Sequence, residues 1–192
     1  MVQGVALKDG RTIRLRPATT DDAAEMIRAI DSVAREGAYL LRSCFDVAVE
    51  EEQARIAQRR EEGSLIVVAV LGGKLVGWAS LKRSRHEFLQ HTVGLGMGVV
   101  RGYRGLGIGT ALMDHVLEWA AEQGFEKVNL GVRANNERAK ALYRKLGFVE
   151  EGVRVREIKD LYGNYHDSVE MAYFVPQALS QNGRVLEGGQ DA

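Results

Sequence analysis

The chain has 192 residues, 45% hydrophobic and 27% charged, the composition of a globular domain long enough to bury a core without disulfides or metal. Lysine plus arginine total 26 and aspartate plus glutamate total 26, so no global positive field draws nucleic acid or an anionic membrane, and any anion site must be local. The single cysteine, Cys44, excludes an internal disulfide and a CxxC metal or redox pair, which fits a reducing, cytoplasmic setting. No apolar run nears the roughly 18 residues of a membrane span and no basic-then-apolar leader opens the chain, so neither membrane insertion nor export is expected.

Ile13 and Leu15 alternate with Thr12, Arg14 and Arg16, the period of a half-buried strand that Pro17 ends. Thr19, Thr20, Asp21 and Asp22 then offer caps and first-turn negative charge to a helix carrying Ala23, Met26, Ile27, Ile30 and Val33 at helical spacing. Residues 49–62 are helix formers with a thin apolar stripe (Val49, Gln53, Ile56, Ala57), predicting a solvated helix along one edge. The aliphatic runs 65–71 and 75–81, joined by Gly72-Gly73, predict a hairpin of buried strands, and 92–100 a further strand. Residues 110–123 present a wide helical face (Leu112, Val116, Trp119, Ala120) stopped by Gly124. A strand at 127–132 leads to a helix at 136–146 with Ala139, Leu142, Tyr143 and Leu146 inward, and strands at 153–159 and 166–174 flank a Tyr162-Gly163-Asn164 turn. Seven strands and four helices therefore make one mixed α/β domain over residues 1–175, and the Gly, Gln, Ser and Asn composition of 176–192 predicts a flexible tail.

Between the strand at 92–100 and the next helix lies Arg101-Gly-Tyr-Arg-Gly-Leu-Gly-Ile-Gly109. A strand entering a helix through glycines gathers backbone N–H groups and a positive helix end at one point, an anion site. A P-loop needs Lys after its second glycine, but Gly102 and Gly107 are followed by Ile108; the dinucleotide fingerprint needs a glycine at 110, which is Thr. The remaining R-G-x-G-x-G spacing suits a pyrophosphate held by main chain.

The segment Gly96-Met-Gly-Val-Val-Arg-Gly-Tyr-Arg-Gly-Leu-Gly-Ile-Gly-Thr-Ala-Leu112 resembles the [RQ]-x-x-G-x-[GA] cofactor motif of the GNAT superfamily of acetyl-coenzyme A dependent N-acetyltransferases, with Arg104 to Gly109 in the motif. Val132-Arg-Ala-Asn-Asn-Glu-Arg-Ala-Lys-Ala-Leu-Tyr-Arg-Lys-Leu-Gly-Phe148 resembles the family's N-x-x-A-x-x-L-Y-x-x-x-G-F segment. The resemblance covers residues 10–175 and implies a GNAT fold with a mixed, mostly antiparallel sheet. It implies acetyl-CoA as cosubstrate, with no metal. The pantetheine arm would pair with Met97, Gly98 and Val99, and the pyrophosphate would sit on Arg104, Gly105, Leu106, Gly107, Ile108, Gly109 and Thr110. Asn136 aligns with a residue that contacts the arm; it is equally placed to cap its helix. Tyr143 aligns with the family's acid for the departing thiolate, while its spacing beside Ala139 and Leu142 also fits a core aromatic. A main-chain N–H, at Val99, would polarise the thioester carbonyl.

The carboxylate positions that the family uses as general base align with Gly94 and Gly131, which accept no proton. A lysine amine of pKa about 10.4 is only about one-thousandth neutral at pH 7.4, against about a third for an α-amine of pKa near 7.8, so the missing base tilts the reading toward an α-amino acceptor. Glu36, Asp46, His86, Glu87 and His91 are the nearby groups that a water could connect, and each equally fits a solvated surface residue. Cys44, with no histidine placed beside it, is expected to be a small buried hydrophobe. In the family the acceptor enters between the loop at 34–48 and the hairpin at 153–174, which here carry Tyr39, Phe45, Tyr162, Tyr165 and His166. The pattern is most similar to the branch acetylating amino acids and their analogues, such as phosphinothricin. A protein N-terminus or an aminoglycoside as acceptor, and a coenzyme A sensor without turnover, are the alternatives. A homodimer is left open.

Overall fold

The computed structural model describes residues 2–176, so the predicted tail lies, from residue 177 on, outside the described residues. Eight strands form one sheet in the order β1-β2-β3-β4-β5-β6-β8-β7. They are β1 (Gln3–Ala6), β2 (Thr12–Pro17), β3 (Leu65–Leu71), β4 (Lys74–Arg83), β5 (Thr92–Val99), β6 (Lys127–Arg133), β7 (Val149–Lys159) and β8 (Tyr165–Phe174). Four helices cover it: α1 (Ala23–Ala34), α2 (Val49–Glu61), α3 (Ile108–Glu122) and α4 (Glu137–Lys145). Every neighbouring pair is antiparallel except β5 and β6. Among the described residues no helix is long and apolar enough to cross a membrane.

Each face of the sheet has its own core. Ile13, Leu15, Val67, Ala69, Leu81, Val128 and Met171 pack against Ile108, Leu112, Met113 and Val116 of α3, while Ile66, Val68 and Trp78 pack against Met26, Ile30 and Val33 of α1 and Ile56 of α2. Strand alternation thus decides which helix each residue meets. On β5, Val93, Leu95, Met97 and Val99 face α3; Gly94, Gly96 and Gly98 face the α1–α2 layer. Gly98 leaves room for the Trp78 ring, because a Cβ there would lie 2.4–2.9 Å from its ring atoms.

Local chemistry explains the element ends. The Gly72-Gly73 turn takes positive φ at both residues (56° and 81°), which matches the twist of the β3–β4 hairpin. Thr19 N–H donates to Asp22 Oδ2 at 2.8 Å, and Arg16 forks onto the same carboxylate at 2.6 and 2.7 Å, fixing the entry into α1 against the end of β2.

Several expectations need correction. β1 is a strand beyond the seven expected; it carries no sequence signal because its residues are exposed or half-exposed and show no buried alternation. β7 begins at Val149 rather than at 153, an edge strand buried only at Ile158. The inner face of α2 is Glu52 and Ile56 rather than Val49, which is 39% exposed: Glu52 is buried with its carboxylate bonded to Arg55. Cys44 is exposed, since the loop buries Phe45 instead.

Candidate active site

β5 and β6 pair only through Thr92, Val93 and Gly94 against Lys127, Val128 and Asn129, and then part. Val100 N–H turns toward β4, donating to Val76 O at 2.9 Å. By strand alternation the N–H groups of Leu95, Met97 and Val99 point the other way, into the gap. An unpaired strand edge therefore lies inside the sheet. The gap widens into a cavity of about 520 Å³ lined by Met97, Gly98 and Val99, by the loop after β5, and by Leu142 and Tyr143 of α4.

That loop closes the wide end of the gap. Gly105 (φ 88°) and Gly107 (φ 98°) occupy the left-handed region, which turns the chain sharply into α3. The N–H groups of residues 105–110 make no hydrogen bond with any described residue; the first helical bond is Ala111 N–H to Gly107 O at 3.0 Å. Six successive N–H groups thus stand unpartnered at the positive end of a 15-residue helix. Lys8, whose N–H donates to Leu106 O at 3.1 Å, and Arg138, with Nη2 3.8 Å from the Cβ position of Gly105, flank the turn with positive charge. Arg104 lines the cavity, but its guanidinium is committed. Nε donates to Val99 O at 2.8 Å, the two terminal nitrogens fork onto Glu36 at 2.8 and 2.5 Å, and the plane lies 4.6 Å from the Tyr39 ring centroid. This clamp fastens the loop at 34–48 to the glycine turn and occupies Glu36.

Tyr143 is 8% exposed at the cavity wall, stacked at a tilt on Phe148 with ring centroids 5.6 Å apart. Burial pushes its hydroxyl up to a pKa of about 12, and that hydroxyl has no hydrogen-bond partner among the described residues. Asn136 caps α4, its Oδ1 accepting from Ala139 N–H at 3.2 Å, and lines the cavity as well. Asp46 is exposed, and His86, Glu87 and His91 sit exposed before the start of β5, at the end of the strand away from the glycine turn.

A carboxylate nevertheless reaches the bare strand. Gly131 of β6 is directly opposite Glu170 of β8, and a Cβ at Gly131 would lie 3.0 Å from Glu170 Oε1. Val169 and Met171 face α3, so Glu170 projects onto the α1–α2 face, the face of Gly94, Gly96 and Gly98. Ser168 Oγ donates to Glu170 Oε1 at 3.3 Å, and Arg154 is 3.5 Å from Oε2. On this same face a second cavity of about 360 Å³ lies between β4, α1 and α2; it shares Leu40, Leu41, Gly96 and Met97 with the first, so the two meet over β5.

The description of the Acetyltransferase (GNAT) family matches residues 34–148, more than half of the chain. The chain belongs to the GNAT family. An uncharacterised N-acetyltransferase of Mycobacterium bovis is 34% identical over 103 residues, 54% of this chain and 62% of that protein. N-alpha-acetyltransferase RimI of Mycobacterium tuberculosis is 39% identical over 89 residues, 44% of this chain and 52% of that protein. This chain thus spans less than two thirds of the length of these curated relatives. A phosphinothricin acetyltransferase from Sinorhizobium meliloti, solved in complex with acetyl-CoA, shares the fold with a TM-score of 0.77 at 21% identity, covering 84% of this chain and 87% of that one.

Within this GNAT fold the structure brings together every predicted site residue except Leu106. Met97, Gly98, Val99, Arg104, Gly105, Gly107, Ile108, Gly109, Thr110, Asn136 and Tyr143 line one cavity, while Leu106 packs against the core. Sequence reasoning missed Lys8, Arg138 and Glu170. The first two lie outside or between the motif positions, and Glu170 is brought to Gly131 only by strand register. Its sole sequence signal is that it is the one charged residue in the mostly apolar run 169–174.

Proposed function

We propose that this protein transfers acetyl from acetyl-CoA to the primary amine of a small molecule, an amino acid or an analogue of one, by direct attack. The observation that carries the reading is the meeting of the unpartnered N–H groups of five cavity-lining residues, 105 and 107–110, with the unpaired edge of β5 in one cavity that Tyr143 also lines. The fit to the cosubstrate is chemical: a pyrophosphate takes N–H donors and the Lys8 and Arg138 charges, and the two amides of a pantetheine arm take a strand edge. Acetyl-CoA, once bound, supplies a thioester whose carbonyl carbon bonds to the amine nitrogen as its C–S bond breaks.

The chain's own groups handle the charge and the protons. A main-chain N–H of the β5 edge, at Val99 or Met97, stabilises negative charge growing on the carbonyl oxygen. Glu170 accepts a proton from the attacking amine, directly or through a water, from the face where Gly131 leaves the strand bare. Tyr143, fully protonated at neutral pH, donates to the departing sulfur and regains its proton from solvent. The second cavity, of about 360 Å³ and partly walled by Met26, Ile30, Phe45 and Trp78, suits a small acceptor with apolar surface. Within the family this supports the amino-acid and phosphinothricin-type branch over acceptors the size of an aminoglycoside.

Release of coenzyme A thiol is the test, with free amino acids, an unblocked peptide, a lysine side-chain peptide and an aminoglycoside as acceptors and acetyl-CoA binding measured beside it. Turnover on free amino acids is expected. Tight acetyl-CoA binding with turnover on none of them, or on the aminoglycoside alone, overturns the reading.

A further inference from the structure

The second cavity has a charge pattern that the acetyl-transfer chemistry does not explain. Three arginines line it, Arg42, Arg55 and Arg59, and no aspartate or glutamate does. Arg55 is neutralised: its Nε donates at 2.6 Å to Glu52, whose carboxylate is 1% exposed behind it on α2. The other two have no acidic partner among the described residues. Arg42 lies over the Phe45 ring, 4.7 Å from its centroid. Arg59 is half-buried one helical turn beyond Arg55.

The charges around Arg59 sharpen this. Arg55 and Arg85 repel it, and Glu62, the one acid that attracts it, is bonded to Arg85 and to Gln58 Nε2 at 2.9 Å. Burial accordingly pulls the Arg59 guanidinium below its ordinary pKa, because the attraction of Glu62 does not offset its desolvation and the repulsion of Arg55 and Arg85. A planar guanidinium with free N–H groups is the side chain best matched to a carboxylate, which it binds through two parallel hydrogen bonds.

We infer that this cavity is an anion-recognising acceptor subsite in which Arg59, assisted by Arg42, holds a carboxylate carried by the same molecule whose amine is acetylated. The inference rests on the acetyltransferase reading and narrows it. The amine lies over Gly96 and Met97, where the two cavities meet, the acid turns to α2, and the side chain of the acceptor packs on Trp78 and Phe45. Two uncompensated positive charges repel a polycation such as an aminoglycoside, and an acceptor whose carboxyl is blocked forfeits the contact.

The test uses the full chain with leucine, methionine and phenylalanine, each as the free acid and as the carboxamide. Acetyl transfer is followed by thiol release, and binding of the matching N-acetyl acids and N-acetyl amides to the coenzyme A-loaded protein by calorimetry. The wild type is expected to favour acid over amide by at least about tenfold in kcat/KM and in binding. Arg59→Gln is expected to collapse that ratio toward one, with Arg59→Lys restoring part of it and Arg42→Gln reducing it less. A general loss of activity in Arg59→Gln with the ratio intact would mark Arg59 as a structural residue and overturn the inference. Equal use of acids and amides by the wild type would overturn it while leaving the acetyltransferase reading standing. An acid preference in binding without transfer would uphold the subsite and overturn the transferase.

Discussion

Glu170→Gln isolates proton acceptance from everything else that the side chain does. The amide is isosteric, its oxygen still accepts from Ser168 Oγ, and the one ion pair lost, to Arg154 at 3.5 Å, joins side chains 58% and 32% exposed. Such a pair is worth less than about 1 kcal/mol, so Tm should move by no more than about 3 °C. Loss of a general base, in contrast, lowers the rate about 10²- to 10⁴-fold, equivalent to about 3–5 kcal/mol of barrier. Thiol release at saturating acetyl-CoA reads the rate, and thermal melting reads the stability. The residual rate of the variant should climb toward pH 8 as an α-amine of pKa about 7.7–8.0 loses its own proton to solvent. Gly131→Ala gives an independent check, because its methyl would press within 3.0 Å of Glu170 Oε1 and displace the carboxylate without removing a charge. A Glu170→Gln rate within about threefold of wild type, or matched losses of rate and stability, would refute the assignment.

Tyr143→Phe should keep acetyl-CoA affinity and lose most turnover; if turnover survives within threefold, the hydroxyl is not the acid. The same variant tests linkage. The folded hydroxyl ionises near pH 12 and the unfolded one near 10, so the wild type should lose about 2–3 kcal/mol between pH 10 and 12, a loss that alkaline denaturant titrations should show to be absent from Tyr143→Phe. Gly98→Ala forces Trp78 off the strand and should cost roughly 1–3 kcal/mol with a shift in tryptophan emission; an unchanged Tm and spectrum would contradict the 2.4 Å approach. Arg104→Lys cannot bond Val99 O and fork onto Glu36 at once, so the loop at 34–48 should become more susceptible to limited proteolysis; equal cleavage rates would show that the clamp does not hold it.

The fold was legible wherever hydrophobic period and punctuation coincide. The Gly72-Gly73 hairpin, the capped start of α1 and the strand–glycine–helix run into α3 could each be read locally. β1 and the first half of β7 could not, because an edge strand with little buried surface carries no alternation to detect. α2 misled for a related reason: Glu52 reads as solvated until Arg55, one turn on, is seen to neutralise it. The glycine turn announced itself through its spacing. The carboxylate proposed as base did not, because Glu170 reaches Gly131 through pairing of β6 with β8, almost forty residues apart in sequence. Likewise Arg104 reads only as the first residue of the glycine turn, and only tertiary structure reveals the Glu36 carboxylate that holds its guanidinium.

The parting of β5 from β6 has a consequence for what this surface admits. Exposed strand edges usually recruit other polypeptides, and proteins blunt them with charge, proline or bulges. Here the edge from Leu95 to Val99 carries none of these, yet it lies between two strands of its own sheet, roofed by α4 and stopped at one end by the glycine turn. A polypeptide laid into that cleft would have to bury a side chain at every residue, on alternate faces, against Leu142 and Tyr143 on one side. A chain of amides joined by unbranched methylenes has no such branches. The gap thus leaves the backbone donors in the middle of the sheet available while shielding them from the strand exchange that an edge of this length would otherwise invite.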